Sequence, residues 1–171
     1  MTRLILFSRF MLAVATAAAL VGCTAKPTAA AGGTDADEAA VRQTLVEVER
    51  QINQGDLGFV NVFAKDAVII APSAPDVAGI DAIRAMYSGA MEKTVMNVHF
   101  STEEVTVAGD LAYEHGTYTL KITDKASGQT LQDVKNKHVH ILKRQPDGTW
   151  KTWRMMVNSA EPEPNQKTNP K

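Results

Sequence analysis

The chain is poor in several things that function is commonly read from. It has one cysteine, Cys23, in 171 residues. That excludes an internal disulfide and a cysteine-rich zinc site. It has almost no net charge, with 18 basic residues against 19 acidic ones. A protein whose main work is gripping nucleic acid carries a basic excess, so that class is set aside. It has no Gly-rich phosphate loop, no nucleotide fingerprint and no Ser-His-Asp spacing. No internal repeat is visible. The apolar, alanine-rich run from Phe10 to Val21 is 12 residues long, short of the roughly 20 that a membrane-spanning helix needs. What is present is ordinary: 44% hydrophobic and 22% charged residues, enough for one domain with a real core.

The short apolar run follows Arg3 and Arg9 and ends in Leu20-Val21-Gly22-Cys23. A basic start, a short apolar core and small residues before a boundary make a secretory signal. The final tetrapeptide resembles the lipobox of bacterial lipoproteins, in which cleavage precedes the cysteine and the cysteine carries diacylglycerol. The resemblance implies lipidation of Cys23 and a membrane anchor in the cell envelope. Thr24, rather than Asp, follows the cysteine, which implies the outer membrane facing the periplasm. Each buried acyl CH₂ adds about 0.8 kcal/mol of membrane affinity, so more than one chain holds firmly. Loss of Arg3 and Arg9 leaves 16 basic residues against 19 acidic ones. With Cys23 lipidated no thiol remains for catalysis. The expected organisation is a signal peptide over 1–22, the lipidated cysteine and a flexible tether over 23–34, a folded domain over 35–159 and a disordered tail over 160–171.

Within the domain, helical periodicity precedes strand periodicity. Asp35 with Glu38 predicts an N-cap and its reciprocal partner. Val41, Leu45, Val48 and Ile52 recur at helical spacing, and Gly55 supplies a stop. Leu57, Val60 and Phe63 predict a short second helix, Ala67 to Ala71 a buried strand, and Ile80, Ile83, Tyr87 and Met91 a third helix. Val98 and Phe100 then alternate with polar residues until the apolar parity shifts to Val105 and Val107, which predicts a bulge near Glu103. Long strands are expected over 111–123, 131–144 and 150–158. Turns at Gly109-Asp110, Ser127-Gly128 and Pro146-Asp147-Gly148 join them. Helices followed by an antiparallel meander imply an α+β fold with the helices on one face of the sheet.

Several segments resemble the nuclear transport factor 2-like superfamily. Gln54-Gly55-Asp56-Leu57 with Phe63-Ala64-Lys65-Asp66-Ala67 is similar to its opening. Gly79-Ile80-Asp81-Ala82-Ile83-Arg84 is similar to its third helix. Lys143 to Lys151, with Asp147-Gly148 and Trp150, resembles the last hairpin of the SnoaL-like, calcium-calmodulin kinase association-domain-like branch. The resemblance spans about residues 36–159. It implies a cone-like curved antiparallel sheet, cystatin-like, with N-terminal helices on its concave face.

The resemblance also allows the ketosteroid isomerases of the superfamily to be compared residue by residue. Those enzymes need a carboxylate base and two acids that hydrogen-bond an enolate oxygen. The base position, before a proline at the end of the first strand, is Ala71 here. The tyrosine position on the first helix is Val48. The protonated acid falls near His140. An Asp that relatives carry in the last strand is replaced by Met155, and a Trp by Val157. That machinery is absent.

Other residues carry what chemistry is left. His138 and His140, two apart on a strand, share a face. The family register places that face toward the cavity, together with His115, Trp153 and Met155. The pair could serve as acid and base or contact a ligand. The H-x-H spacing lacks a following acid, so no metal or cofactor is expected. Glu114 reads two ways. Its alternation with Gly116, Tyr118 and Leu120 places it on the apolar face, where burial would raise its pKa. The family register places it on the outer face, which in relatives often forms a dimer contact.

Three functions follow from these expectations. The first is a lipid-tethered domain that binds a small, mostly apolar molecule against Val48, His138, His140, Trp153, Met155 and Val157. The second is a SnoaL-like isomerase, cyclase or hydrolase with His140 or His115 as acid/base and Tyr113 as hydrogen-bond donor. The third is a homodimeric association module.

Overall fold

The structure is a computed structural model that describes residues 33–160. The expected signal peptide, the expected lipidation site at Cys23, most of the expected tether and the segment from 161 onward lie outside the described residues.

Helix α1 (Asp35–Asn53) buries Val41, Leu45, Val48 and Ile52 along one stripe. Its cap lies one residue earlier than expected. Thr34, in extended conformation, accepts the Asp37 N–H at 3.2 Å, and the Asp37 carboxylate accepts the Thr34 N–H in return. Asp37 in place of Glu38 closes the box, because the reciprocal bond needs the third helical residue. A 3₁₀ turn (Leu57–Val62) leads into β1 (Phe63–Ile70). This strand starts before the expected Ala67, because Phe63 and Ala64 are buried and Phe63 pairs with Thr152. A two-residue strand β2 (Val77–Ala78), too short for a sequence pattern, pairs with β1. Helix α2 (Ile80–Lys93) follows. The long strands β3 (Thr94–Ala108), β4 (Leu111–Asp124), β5 (Thr130–Arg144) and β6 (Trp150–Ser159) complete the domain.

The strands form one curved, unclosed sheet in the order β2-β1-β6-β5-β4-β3. The meander β3 to β6 is antiparallel as expected. The β1–β6 pair is parallel, so the sheet is mixed. Helix α1 lies against β3 and the 3₁₀ turn and covers the inner face. Val48, Ile52, Phe59, Phe63, Ile69, Ile83 and Val98 anchor one hydrophobic cluster. Val41, Val105, Val107, Leu142 and Trp150 form a second. No described helix is long and apolar enough to cross a membrane.

Two bulges decide which side chains face inward. Thr102 pairs with Gly116 and Glu104 with His115, so Glu103 is the extra residue. This is the bulge that the parity shift requires. Before it Val98 faces inward, and after it Val105 and Val107 do. Gly116 is essential there, since a Cβ on it would lie 2.1 Å from the Ser101 carbonyl oxygen. The second bulge falls at Trp153, between the pairs Leu142–Thr152 and Ile141–Arg154.

Candidate functional site: a buried Glu-His-His cluster

The inner face is a set of cross-strand rows. Side chains directly opposite on neighbouring strands touch when they share a face. Met155, His140, Glu114 and Val105 form one row; Val157, His138, Gly116 and Thr102 form the next. Asn136, Tyr118 and Phe100 form a third. Three ionisable side chains meet where the first two rows adjoin. Glu114 is fully buried, and His138 and His140 are 2% and 4% exposed. His138 Nε2–H donates to Glu114 Oε1 at 3.0 Å. His140 Nδ1 lies 3.7 Å from Glu114 Oε2, too far for a good hydrogen bond. The His138 and His140 rings are 5.0 Å apart. Phe100 packs edge-on against His138 at 5.5 Å, and Tyr118 tilts against it at 5.8 Å.

The charges in this cluster follow from burial and proximity. Burial pushes the Glu114 carboxyl upward, but the His138 hydrogen bond, the attraction to the two neighbouring imidazoles and a hydrogen bond from the Thr102 side chain outweigh it. Glu114 is held below the usual range and is a carboxylate at neutral pH. The expectation of a raised value is overturned because the carboxylate has a bonded imidazole, not an apolar wall alone. His140 is lowered to about 4, chiefly by burial, with Glu114 opposing and His138 reinforcing. It is neutral at pH 7. Burial also raises the Tyr118 hydroxyl, which accepts the Asn136 amide at 3.1 Å.

Four side-chain atoms of the cluster have no hydrogen-bond partner among the described residues: Glu114 Oε2, His138 Nδ1 and both nitrogens of His140. Buried polar groups are satisfied in the great majority of cases. Their concentration in one spot is the most unusual feature of the domain.

The other expected site residues are dispersed. Met155 and Val157 lie on the inner face against the core, opposite His140 and His138. Val48 is in the core and on the wall of a groove of about 610 Å³ between α1, the 3₁₀ turn and the β5–β6 hairpin. None of the cluster residues lines that groove. His115 and Tyr113 do not face the interior. The apolar residues Ala112 and Tyr118 turn the even-numbered side of β4 inward and leave the odd-numbered side out. His115 lies 3.2 Å from Glu104 on the outer face, and Tyr113 packs 5.6 Å from it. Both line an outer depression of about 340 Å³ with Glu103, Lys137, Val139 and, from the cluster, His138. Trp153 is also outside. It donates to Asp66 at 2.9 Å and is stacked by Lys143 and Arg154, because the bulge turns Thr152 inward instead. Trp150 is the core tryptophan. The alternation rule therefore places Glu114 correctly and the family register does not.

The sequence reading leaves out Phe100, Thr102 and Tyr118, which surround the cluster. Their signal is the alternation Val98-Phe100 and Tyr118-Leu120. A cleft of about 240 Å³ between α1 and β3 is lined by Arg42, Leu45, Val46, Glu49, Phe100 and Thr102. Phe100 thus touches the cleft on one side and His138 on the other. Among the described residues no group of three or more His, Cys, Asp or Glu is arranged to hold a metal ion.

Comparison with known proteins agrees with this architecture. A ketosteroid isomerase-like protein from Erwinia carotovora atroseptica SCRI1043 superposes with a TM-score of 0.66 at 19% identity, covering 75% of this chain and 100% of its own. A nuclear transport factor 2-like superfamily protein from Salmonella enterica serovar Typhimurium gives 0.67 at 15% identity, covering 78% and 99%. A protein from Catenulispora acidiphila, solved in complex with S-DNPA, gives 0.61 at 17% identity, covering 74% and 95%. At these identities the likeness shows the fold alone. No curated protein matches the chain. The model of the SnoaL-like domain matches residues 47–153, the 3₁₀ turn, α2, all six strands up to Trp153 and the second half of α1. The chain belongs to the SnoaL-like domain family, on the nuclear transport factor 2-like fold.

Proposed function

We propose that this chain is a small-molecule-binding domain, held at an envelope membrane by a lipidated Cys23. Its ligand lies against the inner sheet face, with an apolar body on Phe100, Tyr118, Met155 and Val157 and a polar end at Glu114, His138 and His140. One observation carries this reading: four unpartnered polar atoms gathered in an otherwise apolar interior. Leaving such a group unbonded costs about 1–3 kcal/mol. A guest that bonds them recovers that cost. Catalysis of the isomerase type is not part of the reading, since Val48 and Ala71 occupy the two decisive positions. The membrane anchor rests on the Leu20 to Cys23 sequence, and a homodimer on the exposed Tyr113 and Met156 of the outer face, 38% and 51% accessible.

Native mass spectrometry of the protein, gently purified from the envelope of its own host, tests both partners at once. The expected spectrum is a dimer that retains a small organic mass and sheds it on activation. A protein that is empty, and that no compound from a library of small aromatic molecules stabilises against heat, refutes the binding function.

A second reading rests on the 3.0 Å bond between Glu114 and His138. A carboxylate that fixes one imidazole nitrogen leaves the other as a base. The acid/base of an enzyme would then be His138, not His115 or Tyr113. Turnover of a bound ligand, abolished in His138→Gln, is the outcome that favours it.

A further inference from the structure

The unpartnered atoms differ in kind, and the difference selects the guest. Glu114 Oε1 is occupied by His138 Nε2–H, so Glu114 Oε2 is left with lone pairs only. His138 Nδ1 is also unpartnered. A neutral His140 has one N–H and one lone pair. Its Nδ1 faces Glu114 Oε2 at 3.7 Å, which favours the proton there and the lone pair at Nε2. Glu114 Oε2 and His140 Nε2 are therefore open acceptors. The isomerases of this superfamily present donors to a substrate oxygen; this interior presents acceptors.

We infer that the ligand is a small aromatic alcohol or phenol whose hydroxyl donates to the Glu114 carboxylate. This rests on the binding function proposed above and specifies its chemistry. Three features of the surroundings fit that class. Phe100 and Tyr118 offer ring surfaces 5.7 Å apart beside His138. The α1–β3 cleft that reaches Phe100 and Thr102 has room for one or two rings, at about 240 Å³. A carboxylate guest would bring a second negative charge beside Glu114 in a low-dielectric interior, where like charges repel strongly. Arg42, at the rim of the cleft, is the competing site for such an anion and lies among its outer lining residues. A half-buried Phe100 is the side chain that must rotate to join cleft and cluster.

A matched series decides the matter: p-cresol, toluene and p-toluate, each titrated calorimetrically into the purified protein at pH 7 and into its Glu114→Gln variant. The wild-type protein is expected to bind p-cresol about tenfold more tightly than either of the others, the worth of one hydrogen bond to a charged acceptor. In Glu114→Gln the preference for p-cresol over toluene should fall to about threefold or less. Equal binding of all three, or tighter binding of p-toluate, overturns the inference while the binding function stands. Binding of none overturns the inference, and the binding function falls with it where the purified protein is also empty and no library compound stabilises it. The wild-type series alone is decisive if Glu114→Gln does not fold.

Discussion

Replacing His140 with phenylalanine should flatten the acid side of the stability curve. His140 is 4% exposed and its pKa is lowered from 6.5 to about 4 in the folded protein. In the unfolded chain the ring takes up a proton below pH 6.5. In the folded chain it does not until about pH 4. The unfolded state thus binds more protons across that window, so stability falls as pH falls through it. Each unit of pH is worth up to about 1.4 kcal/mol for one proton. Between pH 7 and pH 5 the loss comes to about 2 kcal/mol. Glu114 acts in the same direction lower down, because its depressed pKa protects stability until the pH falls below the ordinary carboxylate range. The pH 7 to 5 interval therefore separates His140 from Glu114, and the comparison with His140→Phe separates it from the other histidines. Phenylalanine keeps a planar ring of similar size and cannot titrate. Urea unfolding followed by tryptophan fluorescence at half-unit pH steps should show the drop in the wild-type protein. It should be less than half as large in His140→Phe. An equal drop in both proteins would refute the reasoning and assign the acid sensitivity to groups other than His140.

Two other outcomes test different parts of the chain. Gly116→Ala should lower stability by roughly 2 kcal/mol or more, since its new methyl would meet the Ser101 backbone oxygen at 2.1 Å and β3 must shift at the bulge; thermal unfolding by circular dichroism checks this. Cys23→Ser should move the full-length protein from the membrane to the soluble envelope fraction in its native host, as loss of the acyl chains removes their contribution of about 0.8 kcal/mol per buried CH₂; fractionation and immunoblotting read it directly.

Much of the fold is legible in the sequence because local chemistry dictates it. Val41, Leu45, Val48 and Ile52 fix the buried stripe of α1. Gly55, Gly109, Gly128 and Gly148, all at positive φ, mark the turns and the helix stop. The change of apolar parity between Phe100 and Val105 locates the bulge at Glu103. Alternation also turns Glu114 inward, since Ala112 and Tyr118 on the same side need burial more than His115 and Tyr113 do. What depends on two distant segments is not legible in this way. The parallel pairing of β1 with β6 joins residues more than 80 positions apart, and no periodicity encodes it. Trp153 leaves the interior only because a bulge sits at that residue in the β5–β6 register.

The sequence by itself determined the number and kind of long elements, because these rest on composition and period. Only the tertiary structure decided that Glu114, His138 and His140 meet. Register across β4 and β5 sets His140 opposite Glu114 and His138 opposite Gly116. That places a carboxylate and two imidazoles within 4 Å in a space closed by α1 and β3. Their charge states follow from that enclosure. A glutamate read as a raised acid becomes a bonded carboxylate, and a histidine read as a neutral-pH acid/base stays uncharged down to about pH 4.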